Sequence, residues 1–175
     1  SVIRNNFNLN NDIEISIESN PGTIDYDYLV DLKNCGINRL SIGLQTANDD
    51  LLKSIGRIHD YKTFESNYLK EREDGFDNIN IDLMFGIPNQ SMADIEDTLI
   101  KITNLNPEHI SFYSLKFEEG TKYYQMLKSN KIEELDEELD RKMYTYINNY
   151  LAYTGYHQYE ISNYSKQFRE CSHNL

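Results

Sequence analysis

The segment Asn78-Ile79-Asn80-Ile81-Asp82-Leu83-Met84-Phe85-Gly86-Ile87-Pro88 decides the fold. From Ile79 to Phe85 every second side chain is large and apolar, which is the period of a β-strand. Asn78, Asn80, Asp82 and Met84 alternate with them, so one face of the strand is apolar and the other mostly polar. Gly86-Ile87-Pro88-Asn89 turns the chain. Ser91, with Asp94 three residues on, has the form of a capping box, and Ile95, Leu99 and Ile102 behind it share one helix face.

Strand followed by helix recurs on both sides. Ile13–Ile17 reads as a first strand. Thr23 then starts a helix with Asp25 and Asp27 in its first turn and Gly36 as its stop. Arg39–Gly43 is the second strand. Asn48 caps a short helix, and Asp60 caps a longer one that ends at Gly75. Ile110–Leu115 is a fourth strand. A long helix runs from about Asp136 to Tyr153, with Leu139, Met143, Ile147 and Tyr150 at helical spacing. The acidic run Glu133–Glu138 reads as its N-terminal turn, where negative charge meets the helix dipole favourably. A short strand is expected near Gln158–Ile161. Alternating strands and helices imply βαβ units and an α/β fold with a parallel sheet.

Parity recurs along the strands, least cleanly in the fourth. Ile13, Ile15 and Ile17 oppose Glu14, Ser16 and Glu18. Leu40, Ile42 and Leu44 oppose Arg39, Ser41, Gly43 and Gln45. Ile110 and Phe112 oppose His109, Ser111 and Tyr113. Parallel sheets covered on both faces are usually apolar throughout, so helices here can cover only one face. The other is wet, filled by mutual pairing, or occupied by a polar ligand. A partial (β/α) barrel offers such a lumen, with its site at the C-terminal strand ends. Glu18, Gln45 and Asp82 lie at or near those ends. Gln45 and Asp82 suit hydroxyl groups, Glu18 suits a cation or amine, and Arg57 after Gly56 suits a carboxylate. Together they describe a zwitterionic, ribose-bearing ligand.

Composition narrows the class. The chain has 175 residues, 17 basic and 29 acidic, with a net charge of −12. That balance argues against nucleic acid and against anionic membrane surfaces. No apolar run is long enough to span a bilayer. Cys35 and Cys171 make no disulfide framework, so a reducing, cytoplasmic setting is expected. Cys35, before Gly36, reads as a small core residue.

Several segments occur in a telling order: Glu18-Ser19-Asn20-Pro21-Gly22-Thr23, Asn38 to Thr46, Gly56-Arg57-Ile58-His59, Asn78 to Pro88, Pro107 to Leu115, Glu119-Gly120-Thr121, and Tyr159-Glu160-Ile161-Ser162-Asn163-Tyr164. The chain from Asp12 to Leu175 resembles the radical S-adenosylmethionine family of oxygen-independent coproporphyrinogen III oxidases, and more closely its haem-chaperone branch. The resemblance implies a partial six-stranded (β/α) barrel of which this chain holds the third to sixth strands. Residues 1–125 would be the barrel core and 126–175 a C-terminal helical extension. It implies that Arg57 holds the methionine carboxylate of S-adenosylmethionine, that Gln45 and Asp82 hold the ribose hydroxyls, that Glu18 lies beside the methionine end, and that the backbone near Ser114 meets the adenine. His173-Asn174-Leu175 looks like the opening of the branch's haem-associated His-Asn-x-x-Tyr-Trp motif, which makes His173 a candidate haem-associated residue.

The family also uses a Cys-x-x-x-Cys-x-x-Cys loop that holds a four-iron, four-sulfur cluster, and a glycine-rich segment near the methionine amine. Neither occurs in this sequence. The reading is therefore of a segment of a larger protein, inactive by itself, whose parent binds S-adenosylmethionine, the cluster and a porphyrin or haem, and passes haem to an acceptor protein. The exposed first strand would favour self-association. Three alternatives remain: a true coproporphyrinogen III dehydrogenase, a non-catalytic porphyrin-binding fragment, and an unrelated barrel hydrolase using Glu18 and Asp82 as acid and base.

Overall fold

The computed structural model describes residues 2, 6–10, 12–23 and 26–175. Asp25, read above as part of a helix start, lies outside them. Four parallel strands, β1 (Ser16–Ser19), β2 (Arg39–Gln45), β3 (Ile79–Phe85) and β4 (His109–Ser114), stand side by side in chain order. Between them run α1 (Tyr26–Asn34), α2 (Asp49–Ser54), α3 (Tyr61–Glu73) and α4 (Met92–Leu105). After β4 come α5 (Lys122–Lys128) and α6 (Glu137–Tyr153). The hairpin β5 (His157–Glu160) and β6 (Asn163–Ser165) then returns antiparallel to β4, giving the sheet order β1-β2-β3-β4-β6-β5. This is an α/β fold built on a mostly parallel six-stranded sheet.

The helix boundaries follow from local chemistry. Asn48, Asp60 and Ser91 cap α2, α3 and α4, and Ser91 with Asp94 forms the full capping box. At the end of α1, Gly36 takes φ +86° and its N–H reaches the Lys33 carbonyl, while the Ile37 N–H reaches that of Leu32. That left-handed turn satisfies the last carbonyls and suits a residue without Cβ. One face of the sheet carries the core. Leu40, Ile42, Leu44, Ile79, Ile81, Leu83, Phe85, Ile110 and Phe112 pack against Leu29 and Leu32 of α1, Phe64 and Tyr68 of α3, Ile95, Leu99 and Ile102 of α4, and Met143, Ile147 and Leu151 of α6.

Three expectations are corrected. The first strand begins at Ser16 rather than Ile13. The Asn38 side chain accepts from the Ile15 N–H at 2.7 Å and donates to the Ile13 carbonyl at 2.9 Å, so an amide replaces the ladder there. Glu133, Glu134 and Leu135 precede α6, and Asp136 is its cap, accepting from the Glu138 and Leu139 N–H groups. Cys35 is exposed, because it sits at the turn that ends α1 rather than on its packed face. The helix α5 and the strand β6 are additions. The first is short and buries none of its residues, so it carries little apolar periodicity; the second has only three residues.

Candidate functional site

The polar face is organised in rows by the parallel register. One row runs Glu18, Ser41, Asn80, His109 and Ser165; the next runs Gly43, Asp82, Ser111 and Asn163. Most of these side chains are buried. They satisfy one another, as buried polar groups must. Ser41 Oγ donates to Asp82 Oδ2 at 2.8 Å, and Asn80 Nδ2 donates to Asp82 Oδ1 at 2.8 Å. Each Asp82 oxygen thus accepts one bond from within the sheet. A carboxylate has about four acceptor positions, so the partly exposed Asp82 keeps capacity for incoming donors.

Gly43 leaves a gap in the second row, and three side chains close on it. A Cβ built at Gly43 would lie 3.0 Å from the Gln45 amide nitrogen, 3.4 Å from Asn20 Oδ1 and 3.6 Å from Arg57 Nη2. Gln45 reaches this place because β2 bulges between Gly43 and Gln45, and Gln45 itself takes φ +80°. Left-handed backbone at a non-glycine residue is a strained feature that marks functional sites more often than others. Arg57 follows Gly56, whose φ of +79° lets the chain turn back over the rim, and its Nη1 donates to Asn20 Oδ1. Burial lowers the pKa of the Arg57 guanidinium, and the nearby Asp82 carboxylate opposes that shift. Burial likewise raises the Tyr113 phenol pKa, an effect reinforced by Asp82, Glu18 and Glu160. Gln45, Arg57 and Asp82 therefore converge, with Asn20 as a partner that the sequence reading does not single out. Glu18 is exposed on the edge strand one row away, on the same face.

The other two candidates lie elsewhere. Ser114 ends β4 on the opposite parity, its Oγ 3.5 Å from Asp140 Oδ1 beside Gly86. With Leu115, Phe117 and Glu134 it lines an open cleft of about 500 Å³ between the strand ends and the start of α6. His173 is exposed in the short 3-10 turn Ser172–Asn174. That turn is tied to Glu14 and Tyr159, near the N-terminal ends of the strands, away from Gln45. The Cys171 thiol is buried and donates to Glu14 Oε1 at 3.3 Å. Among the described residues no three of His, Cys, Asp and Glu are grouped to hold a metal ion. No helix among them is long and apolar enough to cross a membrane.

A mostly parallel α/β sheet of this topology has counterparts among known proteins. The sequence model of the Radical SAM superfamily matches residues 2–102, and the chain belongs to that superfamily. Among curated relatives, it is 40% identical to the heme chaperone HemW of Bacillus subtilis over 162 residues, 93% of this chain and 43% of that one. It is 35% identical to HemW of Escherichia coli over 94% of this chain and 42% of that one. Among solved structures, the coproporphyrinogen III oxidase HemN of Escherichia coli, a radical SAM enzyme, superposes with a TM-score of 0.81 at 28% identity, over 95% of this chain and 38% of that one. The archaeal Elp3 of Methanocaldococcus infernus shares the fold, with a TM-score of 0.70 at 21% identity. The chain spans less than half the length of the curated relatives it matches.

Proposed function

We propose that this chain is the part of a radical SAM haem chaperone that grips the ribose and the methionine carboxylate of S-adenosylmethionine. The convergence of Gln45 and Arg57 on the space above Gly43, with Asp82 beside Gly43 in the same row, carries the reading. Asp82, pinned by Ser41 and Asn80, accepts the ribose hydroxyl protons. Gln45 gives the same hydroxyls a donor and an acceptor. The Arg57 fork, held by Asn20, takes the carboxylate in a bidentate pair. Glu18 faces the ammonium, and the backbone at Ser114 takes the adenine edge. S-adenosylmethionine itself supplies a sulfonium as its reactive centre; these residues orient it and shed its water.

The four-iron cluster of the superfamily finds no ligand set in this chain. Cys35 and Cys171 lie far apart in sequence, and no three-cysteine loop occurs. The identities favour the chaperone branch over the oxidase: 40% to the chaperone of Bacillus subtilis against 28% to the oxidase. On that reading the parent binds haem, with His173 beside it, and hands it to an acceptor protein. The β1 edge, paired on one side only, is the surface for self-association.

Calorimetric titration of the chain with S-adenosylmethionine tests the site. Charge-assisted hydrogen bonds are worth about 1.5–3 kcal/mol, so Asp82→Asn and Arg57→Ala should each weaken binding roughly ten- to hundred-fold. Unchanged affinity in both variants refutes the assignment. Haem titration followed at the Soret band, with His173→Ala as control, tests the haem reading separately.

A further inference from the structure

Below Asp82 the polar face carries a continuous line of hydrogen bonds whose direction is fixed by chemistry. A carboxylate only accepts, so the Asn80 group facing Asp82 Oδ1 is its NH2, which also donates to Ser41 Oγ at 2.7 Å. Asn80 Oδ1 therefore faces His109 Nδ1, 2.6 Å away, and His109 donates to it. His109 is fully buried, and that burial, with Arg39 nearby, pushes its pKa down to about 3. The ring is neutral, so its Nε2 accepts, and the donor is the Tyr159 hydroxyl at 2.7 Å. The Tyr159 oxygen in turn accepts from the Cys171 N–H at 3.2 Å and from Asn174 Nδ2 at 3.3 Å. From the Asn174 side chain to the Asp82 carboxylate, every proton points the same way. Neither His109 nor Asn80 can reverse without leaving an acceptor facing an acceptor.

We propose that His109 is a positioning residue that couples the ligand site at Asp82 to the C-terminal turn Cys171–Asn174 through this single directional chain. Binding of hydroxyl donors at Asp82 and docking of the turn then favour each other, because each end polarises and orders the groups between. The inference rests on the reading of Asp82 as a ribose anchor. It adds that the segment carrying His173 senses occupancy of a site at the opposite ends of the strands.

The test is a titration of the uniformly 15N-labelled chain with S-adenosylmethionine, followed by NMR. Gln45 reports the site; the Cys171 amide and the Asn174 side-chain amide report the turn. In the wild type all three should shift with one midpoint. In Tyr159→Phe, which removes one hydroxyl, Gln45 should still shift, the two turn signals should not, and the affinity should fall about five-fold. His109→Gln, whose amide carries both a donor and an acceptor, should restore part of the response that His109→Leu abolishes. The 15N shifts of the His109 ring should show protonated Nδ1 and bare Nε2. If Gln45 shifts while Cys171 and Asn174 stay still, or if they move equally in Tyr159→Phe, the coupling is overturned and the ligand site stands. If S-adenosylmethionine shifts nothing, or shifts Gln45 equally in Asp82→Asn, the ligand site falls and the coupling with it.

Discussion

Glu108 joins α3, β3 and the segment after β6, so its removal gives a quantitative test of the packing. Its Oε2 is 2.7 Å from Arg72 Nη2 of α3 and accepts the N–H of Ile79, the first residue of β3, at 3.1 Å. Lys166, just past β6, lies 3.9 Å from its Oε1. Arg72 also donates to the Tyr68 hydroxyl at 2.7 Å and to the Phe76 carbonyl at 3.1 Å. The Arg72 and Glu108 side chains are 24% and 14% exposed, so the pair is only partly screened by water. Breaking a fully buried pair costs about 3–5 kcal/mol. The partial exposure lowers that to about 2, and the orphaned Ile79 N–H adds about 1. Glu108→Ala should therefore destabilise the chain by about 3 kcal/mol, or roughly 6–12 °C in Tm for a domain of this size. Glu108→Gln keeps an acceptor for Ile79 and should cost about half as much. Urea unfolding with linear extrapolation measures both, provided the m-value is unchanged. A loss below 1 kcal/mol in Glu108→Ala, or equal losses in the two variants, refutes the assignment of a clamp between α3 and β3.

Buried His109 and Glu71 and the left-handed backbone of Gln45 give three further tests. His109 is depressed to about 3 in the folded state against an ordinary value of 6.5. Its contribution is therefore complete above pH 6.5 and drains as pH falls toward 3. The wild type should lose about 2 kcal/mol between pH 6.5 and 5 relative to His109→Gln; parallel pH–stability curves would falsify the buried neutral ring. Glu71 is buried, with Oε2 unpartnered among the described residues, and burial raises its pKa to about 7. Stability tied to the neutral acid is present below pH 4.5 and lost as pH rises through 7. Glu71→Met should thus be about 2 kcal/mol more stable than wild type at pH 8 and nearly neutral at pH 4, which thermal melts at the two pH values can check. Gln45 holds a left-handed conformation that glycine adopts freely. Gln45→Gly should match or exceed wild-type stability by up to about 1 kcal/mol while binding of S-adenosylmethionine drops about ten-fold; a variant that binds normally removes Gln45 from the site.

Much of the frame was legible in the residues. The strand Ile79–Phe85 has the bounds read from its alternation, and Asn48, Asp60 and Ser91 cap the helices they were expected to cap. These features depend on neighbours two to four positions away, so a linear reading reaches them. The start of β1 was not legible, because the Asn38 amide that displaces the ladder comes from a segment 23 residues on. Cys35 was misplaced for a related reason: small size is compatible with a core, but its position in the α1 cap turns it outward.

The site divides along the same line. Parity alone put Glu18, Gln45 and Asp82 on a shared polar face, since alternation along each strand is a local property. It could not show that the gap at Gly43 draws Asn20, Gln45 and Arg57 together, because that needs the β2 bulge and the turn after Gly56 in one frame. Nor could it order Asp82, Asn80, His109 and Tyr159 into one line. Their adjacency is set by strand register and by the antiparallel return of the β5–β6 hairpin, and register belongs to pairs of strands rather than to any single one.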